Sequence, residues 1–196
     1  MVGNKLYLDG CSFTYGLNLD PQHTLGHLFF AEGGYAVTNG SRNGKSNLAI
    51  AMDAYRNCRD HDVVVLGFTF SGRFYLKYQD YNVDFQPMKY MLPLSGDLSQ
   101  AIGQTYDEFH KYFYSLYQRP FCDDHSDFLI DSVASYILAQ GKKLLIFSWE
   151  KRNVNTPILY PYVPPSQLLP CGHFNEQGTR HLYNVLQSQL GKNHGC

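Results

Sequence analysis

The chain is poor in charge of either sign. Lys and Arg number 16, Asp and Glu 17, and the formal net charge is −1. There is no run of Lys or Arg to drive binding along a phosphate backbone, so nucleic acid is not an expected partner. Cysteine gives no framework. Cys11, Cys58, Cys122, Cys171 and Cys196 are odd in number and irregularly spaced, with no C-x-x-C pair. Neither a zinc ribbon nor a thioredoxin-like motif is supported, and free thiols in a reducing compartment are the simplest expectation. No apolar run approaches the roughly 20 residues that a membrane span needs. The opening MVGNKLYLDG lacks the basic-then-apolar pattern of a secretion signal. A cytoplasmic protein with no membrane partner is expected.

Apolar and aromatic residues are plentiful. Of 196 residues, 44% are hydrophobic and only 17% charged, which is a globular composition. Aromatics reach 15%, with 16 Tyr and 13 Phe, which favours a tightly packed interior or an aromatic-lined cleft. The length fits one domain over 1–196, large enough to bury a core without disulfide staples.

Periodicity divides the chain into alternating strands and helices. Strands are expected at Lys5–Asp9, Tyr35–Thr38, Asp62–Gly67 and Lys143–Ser148, the last two as apolar runs of the kind buried on both faces of a sheet. Helices are expected at His23–Glu32, Ser46–Arg56, Leu98–Gln118, about Ser126–Gln140 and Asn175–Leu190. An aromatic, Pro-interrupted excursion at about 70–97 fits neither pattern, and residues 151–172 read as a Pro-rich loop. The alternation predicts an α/β fold: a three-layer α/β/α sandwich around a mostly parallel, flavodoxin-like sheet. Ligands in such folds bind beyond the carboxyl ends of the strands. That directs attention to residues 10–16, 39–46, 67–73, 149–156 and the approach to the last helix.

One of these loops, VTNGSRNGKSN at residues 37–47, looks like a phosphate cradle. A P-loop needs four residues between its first glycine and Gly-Lys-Ser. Gly44-Lys45-Ser46 would require glycine at position 39, which is Asn39, and Gly40 leaves only three. Nucleotide binding at 40–46 stays open as a lesser alternative. The loop after the first strand, Gly10-Cys11-Ser12-Phe13-Thr14-Tyr15-Gly16, puts a serine at a strand-to-helix turn. The loop before the last helix, Leu169-Pro170-Cys171-Gly172-His173-Phe174-Asn175, carries a histidine. If the two loops are neighbours, His173 can take the Ser12 proton, the two-residue core of nucleophilic acyl transfer.

In these blocks the chain resembles the SGNH (GDSL-like) hydrolases. Gly10-Cys11-Ser12-Phe13 resembles the first block, where Gly-Asp-Ser carries the nucleophile. Asn39 to Gly44 resembles the second, whose glycine donates a backbone N–H to an oxyanion hole. Gly172-His173-Phe174-Asn175 resembles the last, which holds the catalytic histidine. The matches run in order from residue 4 to 185. The resemblance implies a serine hydrolase acting on a small-molecule or glycan acyl ester, with Ser12 and His173 catalytic. The N–H groups of Ser12 and Gly44, with Thr69 Oγ1, would form the oxyanion hole, and no metal or organic cofactor is implied. Arg73, Trp149, Glu150 and Asn43 are candidate substrate contacts.

Two departures stand out. Gly67-Phe68-Thr69-Phe70 puts Thr69 where the family has an oxyanion-donating Asn. Losing one such donor typically costs about 10²–10³ in rate. Three residues before His173, the family's Asp is replaced by Pro170, which leaves a backbone carbonyl or Glu150 to orient the ring. The alternative is therefore a non-catalytic ligand-binding or protein-interaction module with a degraded site. Plainer readings accompany the site residues. Ser12 can cap a helix, His173 can be an ordinary polar residue, Asn43 and Asn47 can serve as turn and capping residues, and Arg73 can form a surface salt bridge. Asp123 or Asp124, in Cys122-Asp123-Asp124-His125, is read as a helix N-cap in preference to a metal ligand. Cys11 and Cys171 are read as a buried thiol pair, with a thiol nucleophile or a metal held with His173 as the lesser alternative.

Overall fold

A computed structural model describes residues 3–71, 74–78, 81–85 and 119–192. Four strands form one parallel sheet: β1 (Lys5–Gly10), β2 (Ala36–Asn39), β3 (Val63–Phe68) and β6 (Lys143–Ser148), in the order β2-β1-β3-β6. Two further strands, β4 (Phe74–Tyr78) and β5 (Tyr81–Phe85), pair antiparallel as a separate hairpin. They lie in the stretch whose aromatic pattern had given no assignment. The helices are α1 (Ser12–Tyr15), α2 (Leu25–Ala31), α3 (Asn47–Asn57), α4 (Arg119–Ala139) and α5 (Glu176–Lys192). The expected helix at Leu98–Gln118 falls outside the described residues.

Strand side chains alternate between the two faces of the sheet, and each face buries its own core. Leu6, Leu8, Val63, Val65 and Phe147 meet Leu25, Leu28 and Phe29 of α2 and Leu182, Leu186 and Leu190 of α5. On the other face Tyr7, Val64, Leu66, Phe68 and Ile146 meet Ile50 and Ala54 of α3 and Ile130, Ala134 and Ile137 of α4. This is the three-layer sandwich the alternation predicted. Among the described residues no helix is long and apolar enough to cross a membrane.

Local chemistry sets the helix ends. Thr24 accepts the His27 N–H and starts α2, and Ser46 accepts the Ala49 N–H and starts α3. The expectation for α4 fell short at its start: Arg119 and Pro120 already lie within the helix. Asp123 and Asp124 therefore lie inside the helix and do not cap it.

From β1 the chain passes to β2 on one side, then returns to place β3 on the other side of β1. That reversal is the topological switch point, and the crevice it opens lies at the carboxyl ends of β1 and β3.

Ile137 is fully buried and its neighbour Leu138 is 52% exposed. Ile137→Ala is expected to lower stability by about 2–5 kcal/mol, and Leu138→Ala by no more than about 0.5 kcal/mol. Urea unfolding midpoints check the pair.

Candidate active site at the switch point

Where β1 ends, Gly10 stands beside Gly67 of β3 in the register of the sheet. A Cβ on either glycine would overlap the Thr14 side chain, and on Gly67 also the Phe147 ring. The two glycines thus let the single-turn helix α1 settle on the strand ends. Ser12 is its first residue, so its backbone N–H has no acceptor within the helix. Gly16, at φ 82°, closes the turn by donating to the Ser12 carbonyl.

His173 comes from the other end of the chain. Its loop is held by backbone bonds: Leu169 N donates to the His173 carbonyl at 2.6 Å and Asn175 N to the Gln167 carbonyl at 3.0 Å. The His173 Nε2 lies 2.9 Å from the Ser12 Oγ across 161 residues of sequence. The imidazole ring sits against Phe13, with centroids 4.9 Å apart and planes tilted by 31°. Phe13 packs in turn on Trp149 at 5.0 Å and on Phe174 at 5.2 Å. Trp149 and Phe174 are 5.0 Å apart. This aromatic wall limits the tilt of the imidazole, a constraint the sequence reading did not foresee. Pro170 is exposed. Glu150, the other candidate to orient the ring, accepts from the Ser71 N–H and from Arg152 Nη2, both at 3.0 Å.

Thr69 follows β3 and is fully buried, and its Oγ1 has no hydrogen-bond partner among the described residues. Its backbone is clamped. Asn47 Oδ1 accepts the Thr69 N–H at 2.8 Å and Asn47 Nδ2 donates to the Thr69 carbonyl at 3.1 Å. Asn47 is therefore a buried bridge from α3 to β3, and neither a turn residue nor the cap, which is Ser46. Arg152 Nη2 also donates to the Thr69 carbonyl, at 2.6 Å. Gly44 adopts φ 73°, a left-handed conformation that disfavours any side chain there. Asn43 before it is exposed, Trp149 is half-buried in the aromatic wall, and Arg73 lies outside the described residues.

The lysine of Gly44-Lys45-Ser46 turns inward. Its side chain is fully buried, and Nζ lies 2.6 and 2.7 Å from the two Asp9 carboxylate oxygens, 2.7 Å from Asp53 and 3.0 Å from the Gly40 carbonyl. Three donors are all an ammonium has, so none is left for a phosphate, and the nucleotide reading loses its key residue. Asp9 also accepts the Tyr7 hydroxyl and the Gly10 N–H, both at 2.7 Å. Burial pushes the Asp9 carboxyl above its ordinary range against the pull of Lys45, and burial beside Asp9 raises the Tyr7 phenol. At Asp53 burial also pushes upward, but the Lys45 hydrogen bond and charge outweigh it and hold the carboxyl low. The signal for this cluster was in the sequence: Tyr7 and Asp9 alternate onto one face of an otherwise apolar strand.

A second polar cluster surrounds Arg152, whose side chain is 1% exposed and approaches Glu150 at 3.0 Å and Asp123 and Asp127 at 3.9 Å. Ser71 donates to Asp123. The thiol pairing fails: Cys11 is buried, while Cys171 is exposed and accepts from Asn18 Nδ2 at 3.7 Å. Asp20, His23 and Glu176 bring potential metal-ligand atoms within 4.8 Å of one another. Of these, His23 Nε2 lies 3.4 Å from a Glu176 carboxylate oxygen.

Asp131 on α4 holds the loop that follows β6. It accepts the N–H groups of Asn155 and Thr156 and the Thr156 hydroxyl, the last at 2.7 Å. Burial raises this carboxyl, but the donors together outweigh it and hold it below the usual aspartate value. The folded chain then binds fewer protons here than the unfolded chain, so this contribution is present at neutral pH and lost as pH falls below about 4. Asp131→Asn is expected to flatten the fall in Tm between about pH 5 and pH 3. An unchanged acid slope would contradict the role given to Asp131.

No family model and no curated protein matches the chain. Solved structures similar to it include TesA, with 16% identity and a TM-score of 0.43 over 94% of this chain and 73% of that one. Another is LAE5, an alpha/beta hydrolase enzyme from the metagenome of Lake Arreo, Spain, at 16% identity and TM-score 0.42, covering 97% of this chain and 96% of that one. A third is a GDSL-like lipase from Bacteroides thetaiotaomicron, at 10% identity and TM-score 0.40, covering 97% and 89%. At such identities the likeness is one of overall shape, and the chemistry is read from the geometry of Ser12 and His173.

Proposed function

We propose that the protein is an SGNH/GDSL-like serine hydrolase that cleaves a small-molecule or glycan acyl ester. The observation that carries the reading is the 2.9 Å approach of His173 Nε2 to Ser12 Oγ. A general base must come within about 2.6–3.2 Å of the proton it takes. In the first half-reaction Ser12 Oγ attacks the ester carbonyl as its proton passes to His173 Nε2. The negative charge on the former carbonyl oxygen is met by the N–H groups of Ser12 and Gly44 and by Thr69 Oγ1. Collapse of the tetrahedral species expels the alcohol, which takes the proton from His173, and leaves an acyl-Ser12 ester. Water, deprotonated by His173, then attacks that ester. A second collapse returns the proton to Ser12 Oγ and frees the acid.

In this scheme the aromatic wall does part of what a carboxylate does in a triad. It limits rotation of the imidazole, but it adds no negative charge to steady the imidazolium.

A second reading, a binding module on the same scaffold, draws on two observations: Ser12 is buried and Pro170 stands where a carboxylate would. A fluorophosphonate probe separates the two. Covalent labelling of the wild type, absent in Ser12→Ala and His173→Ala, is the expected result. A chain that neither labels nor turns over short acyl esters is the binding module. For a chain that labels, Thr69→Val, which removes the hydroxyl at constant shape, is expected to slow turnover by about 10²–10³ with little change in KM.

A further inference from the structure

We propose that Lys45 is a positioning residue of the oxyanion site: its buried ammonium sets where Gly44 N–H stands relative to Ser12 N–H. The inference rests on the hydrolase reading and deepens it. Three contacts fix the loop at 40–45 to the end of β1. Gly40 N donates to the Leu8 carbonyl at 2.8 Å and Arg42 N to the Gly10 carbonyl at 3.2 Å. Lys45 Nζ grips both Asp9 oxygens and also reaches back to Gly40, across its own loop. The loop and strand approach so closely that a Cβ on Gly40 would lie 2.5 Å from the Tyr7 hydroxyl and 3.2 Å from Asp9.

Both ends of this linkage bear on the proposed chemistry. Asp9 is three residues before Ser12, and its carboxylate accepts the Gly10 N–H at 2.7 Å, where the chain turns into α1. Gly44 is bonded directly to Lys45. The ammonium therefore spans the two peptide segments whose N–H groups would share one oxygen. Asp53 on α3, at 2.7 Å, anchors the same ammonium from the helix that follows the loop. An oxyanion hole works through donors aimed before the charge appears, and a buried ion of fixed coordination holds its neighbours better than a flexible loop. Lys45 takes no proton in the scheme above, so it would affect turnover only through geometry.

The test uses the full chain and compares Lys45→Met with the double variant Asp9→Asn/Lys45→Met. The single variant strands a buried carboxylate and can fail to fold. The double variant removes the two fully buried charges together, a change that buried pairs often tolerate, and leaves Asp53 with Arg42 at 3.3 Å. Two readouts are taken on the folded double variant: kcat and KM for a short acyl ester, and amide hydrogen exchange. We expect kcat to fall about 10²-fold, the scale of one oxyanion donor, with KM nearly unchanged. We also expect exchange to rise about tenfold at Ser12 and at residues 40–46 but not in α5, and Lys45→Arg to recover part of both losses. Wild-type kcat with wild-type loop exchange overturns the proposal. If the wild type neither turns over esters nor labels with the fluorophosphonate, the hydrolase reading fails by itself. Exchange then decides whether Lys45 fixes the loop: a rise supports it and no change overturns it.

Discussion

The buried ammonium of Lys45 is the constraint around which the rim of the sheet is organised. Removing a lysine from water is costly, and it is tolerated only when carboxylates and carbonyls replace the lost hydration. Here Asp9, Asp53 and the Gly40 carbonyl do so together. Each comes from a different segment: the end of β1, the body of α3 and the start of the intervening loop. Satisfying one ion thus brings three parts of the chain to one point. Breaking such a set by removing one partner typically costs about 3–5 kcal/mol, more than a single hydrogen bond contributes.

Ser12 and His173 meet just beyond this point, and their meeting depends on packing more than on charge. Gly10 and Gly67 leave room for α1, and Thr14 occupies it. Phe13, Trp149 and Phe174 then form the wall against which His173 stands. The wall draws on α1, the loop after β6 and the approach to α5, so the approach of Ser12 to His173 is set by the same elements that close one face of the core. The other face supplies the clamp on Thr69, through Asn47 of α3 and through Arg152.

How much of this was legible from the residues alone differs by feature. The buried strands were plain, because Val63 to Leu66 and Leu144 to Phe147 are apolar runs that only a doubly covered sheet accommodates. The pairing of Ser12 with His173 was accessible because two short polar loops interrupt an otherwise regular alternation. The first turns of α4 as described were missed, because a proline at position 120 reads as a loop residue. Asn47 was misread because an Asn beside a helix start usually caps it, while Ser46 one residue earlier had already done so. The role of Lys45 was hidden because Gly-Lys-Ser has the same spelling whether the lysine faces a phosphate or two aspartates.

Taken alone, the sequence determined the architecture and the order in which polar loops return to one end of the sheet. Those depend on periodicity and on turn residues, which act over a few positions. Tertiary structure alone decided the other partners: Lys45 with Asp9 and Asp53, Asn47 with Thr69, His173 with Phe13. Such contacts join residues separated by as few as eight and as many as 160 positions. They are selected by the close packing of a folded interior, where a buried polar group must find a partner, and no local pattern encodes which partner that will be.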